Sequence, residues 1–199
     1  MKRTRLSKTR LIAEVVSLLT NPIIVLIVSL VIIVNHFAGS SRQSWNWSLA
    51  GAFLLVGPAV LYASIDWYKD RRIDLDLSKR RERLVPMLLA TMGALVGSFL
   101  ANKEVANHSL QLVSYDLVAM LLFLTIVTFV WKISLHTSTM SAIVMLLVIL
   151  RGPWFALGIL LVIPIGWARM YLKQHTLAQV TAGSLVGVLT TYSAWLVFR

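Results

Sequence analysis

The sequence predicts an all-α fold, a polytopic transmembrane bundle of six to seven spans. The 199 residues are 58% hydrophobic, with a mean hydropathy of +0.78. Apolar residues gather in runs of roughly 15 to 23, close to the ~20 that cross a bilayer as a helix. The runs lack the strict alternation over about ten residues that a transmembrane barrel requires. In hydrocarbon each segment must satisfy its own backbone polar groups, and a helix does so.

The chain opens with a basic head over residues 1–10, which carries Lys2, Arg3, Arg5, Lys8 and Arg10. It resembles the start of a signal peptide, but no small-residue cleavage pattern follows, so it reads as the lead into an uncleaved first helix. Residues 11–199 then form a single transmembrane domain. Its first apolar segment runs from Leu11 to Phe37 and is broken at Asn21-Pro22, because proline lacks the amide hydrogen and crowds the preceding turn. A polar loop from Gly39 to Asn46 follows, with Trp45 and Trp47 as interfacial anchors. The second segment covers about Leu49 to Tyr68. A charged stretch from Lys69 to Arg83 comes next, closed by Pro86. The third and fourth segments, Val85 to Ala101 and Leu112 to Trp131, are joined by a polar turn holding Lys103, Glu104 and His108. Lys132-Ile133-Ser134-Leu135-His136 interrupts the hydrophobicity before a short fifth segment ending near Leu150. Arg151-Gly152-Pro153 restarts the chain for a sixth, which reaches Trp167. A last helix runs from Thr176 to Phe198.

Parity places three polar stretches together. They follow the second, fourth and sixth segments, so all three fall on one membrane face. That face collects fifteen of the nineteen Lys and Arg residues, against Arg42, Lys103, Arg151 and Arg199 opposite. The bias predicts a cytoplasmic location for the face and for the N-terminus. The chain is expected to be an integral protein of the plasma membrane of a prokaryote. Its formal charge of +11 fits anionic headgroups rather than nucleic acid, since the cations sit beside apolar runs. With no cysteine, disulfide and thiolate chemistry are excluded.

Ionisable groups at such places are expensive and are functional candidates by default. His175 and Gln179 are four apart, so on a helix they share a face, and the Gln179 carbonyl can hold a proton on one ring nitrogen while the other is left bare. Arg169 and Lys173 add cationic donors to the same region, and arginine can grip a phosphate through two parallel hydrogen bonds. His136, beside Ser134, is placed to act as a general acid. In the charged stretch Arg80 and Arg83 line one helical face, with Arg72 and Arg81 as further donors.

Ser134-Leu135-His136, together with Arg169, His175 six residues on and Gln179 four beyond that, resembles the last two signature motifs of the type 2 phosphatidic acid phosphatase superfamily. Arg83, or Arg80, before Pro86 is similar to the first. The likeness covers residues from about 68 to 199 and is most specific from Lys132 to Gly187. It implies a lipid phosphatase that needs no metal or other cofactor, acting on a phosphomonoester or diphosphate of a membrane phospholipid or prenyl lipid. His175 would be the nucleophile that forms a phosphohistidine, Gln179 its orienting partner and His136 the acid. Arg169, Arg83 or Arg80, Ser134, Lys132 and Lys79 would hold the phosphate. The chain departs from the family pattern at Ile133 and Leu135, where proline and glycine are usual, and at Ala168 in place of serine. It also departs at Asp76 in place of lysine and at Gln179 in place of aspartate.

Those departures motivate a second reading, a relative without turnover that binds a lipid headgroup or a partner protein. A third comes from Asp66, Asp70, Asp74 and Asp76, followed by Arg80 and Arg83. This run resembles the first aspartate motif of magnesium-dependent aromatic prenyltransferases. A second aspartate cluster is not evident, since Glu104 and Asp116 are the only acidic residues beyond the loop.

Overall fold

A computed structural model describes residues 7–37, 41–70, 80–104 and 107–199. The described residues are mostly helical, without strands, in the order α1 (Lys8–Leu19), α2 (Pro22–Phe37), α3 (Ser41–Asp70), α4 (Arg80–Glu104), α5 (His108–Val130), α6 (Leu135–Arg151), a 3-10 helix (Pro153–Leu161), α7 (Val162–Tyr171) and α8 (Leu177–Phe198). Five stretches are long and apolar enough to cross a bilayer, and the bent pair α1–α2 makes a sixth candidate. The remaining apolar segment, the fifth in chain order, is α6, shorter at 17 residues. An all-α polytopic bundle is what the hydropathy predicted.

The element boundaries follow from local chemistry. Asn21-Pro22 ends one helix and begins another: the Asn21 side chain accepts from the Ile23 amide at 3.0 Å, and Pro22 takes the first helical position, where no amide hydrogen is needed. The two helices are bent by 43°. α1 is amphipathic. Leu11, Ile12, Val15, Leu18 and Leu19 lie exposed on one side, while Ala13 and Ser17 are buried on the other, against α7.

Three boundaries differ from those expected. The polar loop after Phe37 is helical from Ser41, so Trp45 and Trp47 stand in the opening turns of α3. Pro86 does not close the charged stretch; α4 begins at Arg80 and carries Pro86 inside it. It is the seventh residue of the helix, past the first turn, so its missing amide hydrogen forgoes the bond that would run to the carbonyl of residue 82. The sixth segment is a composite. Gly152, with φ of 113°, turns the chain out of α6, and nine 3-10 residues precede the ten of α7. At about 2.0 and 1.5 Å per residue these 19 residues extend roughly 33 Å, enough for the ~30 Å hydrocarbon core.

Among the described residues the most extensively packed helix pair is α6 with α8. Ser134, Ser138 and Ala142 on α6 and its cap meet Gly183 and Gly187 on α8, all at four-residue spacing, and small residues at that spacing let membrane helices approach closely. Ser138 Oγ donates to the Gly183 carbonyl at 3.0 Å, and Thr137 Oγ1 to that of Val180 at 3.0 Å. Asp116, buried in α5, accepts from Thr191 of α8 at 3.0 Å.

Candidate functional site

The site is built at the loop between α7 and α8 and at the start of α6. α7 ends in a tight cap: Lys173 N–H donates to the Met170 carbonyl at 2.9 Å and Gln174 N–H to that of Arg169 at 3.0 Å. This pair of bonds is the Schellman pattern, and it places Lys173 in the left-handed region, φ 56°, where glycine is usual. The His175 amide donates to the same Arg169 carbonyl at 3.2 Å. The backbone therefore ties the two residues together.

α8 starts with a capping box between Thr176 and Gln179. The Thr176 hydroxyl accepts from the Gln179 amide at 3.3 Å, and Gln179 Oε1 accepts from the Thr176 amide at 3.2 Å. The same Oε1 accepts from His175 Nδ1 at 3.1 Å. Since an amide oxygen only accepts, Nδ1 carries the proton and Nε2 presents a lone pair. His175 is 7% exposed, and Nε2 is buried without a hydrogen-bond partner among the described residues. Burial, then the charges of Arg83, Arg169 and Lys132, push the His175 pKa down to about 3, against a smaller opposite effect of the Gln179 bond. The imidazole is neutral at physiological pH.

Around it stand groups from α1, α4 and α6. Arg169 is fully buried and Arg83 nearly so. Arg83 Nη1 donates to the Ile133 carbonyl at 3.4 Å, so the charged stretch is joined to the Ser134 turn across 50 residues. Ser134 caps α6, its hydroxyl accepting from the Thr137 amide at 3.5 Å, and its own amide donates to the Gln179 carbonyl at 3.3 Å. His136 lies within electrostatic reach of Arg169 and Arg83, and its Nε2–H donates to the Ser17 carbonyl at 3.2 Å. The Ser17 hydroxyl accepts from Arg169 Nη1.

The structure thus brings together His175, Gln179, His136, Arg169, Arg83, Ser134 and Lys132. Lys173 is not brought in: its left-handed backbone turns it outward, it is exposed, and the cations bearing on His175 are Arg83, Arg169 and Lys132. Lys79, Arg72, Asp74 and Asp76 lie outside the described residues, as do the side chains of Arg80, Arg81, Asp66 and Asp70. Ser17 is the residue that sequence reasoning missed. Its partners lie 119 and 152 positions away, and the only local signal was the proline break just beyond it.

Apolar cavities lie away from this cluster. One, enclosed by α2, α3, α4 and α5, is lined by Leu30, Trp47, Leu54 and Gly93, and another is a groove between α5 and α8 lined by Phe123 and Leu189.

Residues 127–199 match the family model of the PAP2 superfamily. The matched segment contains Lys132, Ser134, His136, Arg169, His175 and Gln179, and agrees with the resemblance drawn from the motifs. Arg83 and Ser17 lie before it. No curated protein and no solved structure matches the chain.

Proposed function

We propose that this protein hydrolyses a lipid phosphate at the membrane face through a phosphohistidine on His175, since residues 127–199 match the PAP2-superfamily model and members of that superfamily are generally phosphatases. One observation carries the reading. His175 holds its proton on Nδ1 against Gln179 and keeps a buried Nε2, without a hydrogen-bond partner among the described residues, in the field of three cations. A neutral imidazole with a fixed tautomer is a nucleophile, and the cations draw in the anion it is to attack.

The steps balance as follows. A phosphate group enters between Arg83, Arg169 and Lys132, which neutralise its oxygens as charge builds in the transition state. His175 Nε2 attacks phosphorus; the N–P bond forms, the bond to the lipid oxygen breaks, and that oxygen leaves with the Nδ1 proton of His136 in its imidazolium form. Water then attacks phosphorus while His136 takes back a proton. The N–P bond breaks, inorganic phosphate departs, and neutral His175 is restored. Gln179 offers an amide dipole where a carboxylate would carry full charge, so the imidazolium-like stage is stabilised less and turnover is slower than with an aspartate or glutamate.

Substrates of this chemistry are phosphomonoesters or diphosphates of a phospholipid or a prenyl alcohol, presented by the bilayer to an integral membrane protein whose site faces the cytoplasm. The test is phosphate release from such lipids in EDTA by the purified protein, wild type beside His175→Ala. Release that vanishes in the variant supports the reading. Tight lipid-phosphate binding without release from wild type would instead favour the binding-only relative that Gln179, Ile133 and Leu135 suggest.

A further inference from the structure

We propose that Ser17 is a positioning residue of the phosphate site, supplied by an N-terminal interfacial helix that lies outside the matched family segment; the proposal rests on the phosphatase reading above. One residue makes two contacts with two different members of the site. Its hydroxyl accepts from Arg169 Nη1 and its carbonyl accepts from His136 Nε2 at 3.2 Å.

The carbonyl is available because of the Asn21-Pro22 break. In a continuing helix the Asn21 amide would donate to Ser17; here it donates to Leu18 at 3.2 Å, and Thr20 donates to Val16 at 3.1 Å. Ser17 is therefore one of the unsatisfied carbonyls at a helix C-terminus, and His136 fills the vacancy. A carbonyl has no proton to give, so His136 must carry one on Nε2, and the proton that goes to a leaving oxygen is a second one, held on Nδ1 of the imidazolium. The negative end of the α1 dipole meets the imidazole and the Arg169 guanidinium, the orientation that favours cations.

The hydroxyl does the matching work for Arg169. It takes one Nη1 hydrogen of the guanidinium and fixes the plane that the group presents to phosphate. α1 is held in register for this by Ala13, fully buried one turn earlier against α7, and by Ser7 Oγ at 3.5 Å from the Tyr171 hydroxyl. Its leucine-rich face points away from the bundle, as suits a helix lying in the headgroup plane.

The two contacts are separable by mutation in the full chain. Ser17→Ala removes only the hydroxyl. It is expected to raise KM for a lipid phosphate and the inhibition constant for inorganic phosphate about tenfold, as for one hydrogen bond to a charged group, with kcat within about threefold of wild type. Ser17→Thr, which keeps the hydroxyl, should restore both constants. Pro22→Ala gives position 22 an amide hydrogen and lets Asn21 take the Ser17 carbonyl into the helix. That deprives His136 and is expected to lower kcat about tenfold while leaving phosphate inhibition within about threefold. Unchanged or tighter phosphate binding in Ser17→Ala, or a Pro22→Ala variant with normal kcat, overturns the positioning role even when wild type turns over. A wild type that neither releases phosphate nor is inhibited by it overturns the phosphatase reading, and this role with it.

Discussion

Gly183→Ala is a perturbation whose effect can be worked from the packing alone. The added methyl would stand 2.5 Å from the Ser134 carbonyl oxygen and 2.6 Å from Thr137 Oγ1. Ordinary contact begins at 3.4 Å, so α6 and α8 must part by roughly 1 Å at this level. The obstacle is backbone, which cannot swing aside as a side chain would. Parting strains the Ser134-to-Gln179 and Thr137-to-Val180 bonds that register the two helices. Overpacking of this kind costs about 1–3 kcal/mol. Because His136 rides on α6 and His175 precedes α8, the same displacement enters the distance between the proposed acid and the proposed nucleophile, where about 1 Å is worth ~100-fold in rate. The assay is kcat/KM for phosphate release, with thermal unfolding in detergent alongside. Gly187→Ala is the comparison: its methyl would meet the Ser138 carbonyl at 2.1 Å, one turn farther from the site. It should cost more stability and less rate. Wild-type kcat/KM in Gly183→Ala would refute the claim that α6–α8 packing sets the catalytic distance.

Two further outcomes follow from His175. Gln179→Glu keeps the length of the side chain and puts a carboxylate on Nδ1, so kcat should rise and the His175 pKa should move up from about 3; a variant slower than wild type at every pH would contradict this. In the wild-type protein the folded pKa lies below the ordinary 6.5, so His175 stays neutral as pH falls through 6.5. The stability tied to its neutral form is present above pH 6.5 and is lost as pH falls toward 3. Nitrogen NMR on histidine-labelled protein, with His175→Ala for assignment, should show no titration of this ring between pH 5 and 8 in the phosphate-free state. A midpoint near 6.5 would refute it.

What could be read ahead of the structure was local. The His175–Gln179 bond needs only a four-residue spacing on one helix, and the bundle needs only the lengths of the apolar runs. The meeting of Arg83 with the Ser134 turn followed from parity, which counts spans and ignores their packing. What could not be read depended on exact backbone paths. Lys173 looked equivalent to Arg169 as a cation, but the Schellman cap sends it outward. Ser17 looked like an ordinary polar residue in an amphipathic helix, because its carbonyl becomes an acceptor only where the proline break and the fold of α1 onto α7 coincide. The small residues Ser134, Ser138, Gly183 and Gly187 did carry a readable signal in their four-residue spacing.

The most direct measurement is of the covalent intermediate. The protein, mixed with a lipid carrying labelled phosphate and quenched in base within the first turnover, should hold label that survives base and is lost in acid, as expected for phosphohistidine. The label should map to the peptide containing His175 and be missing in His175→Ala. Full turnover in His175→Ala, or label on another residue with His175 unmodified, would contradict a nucleophilic His175.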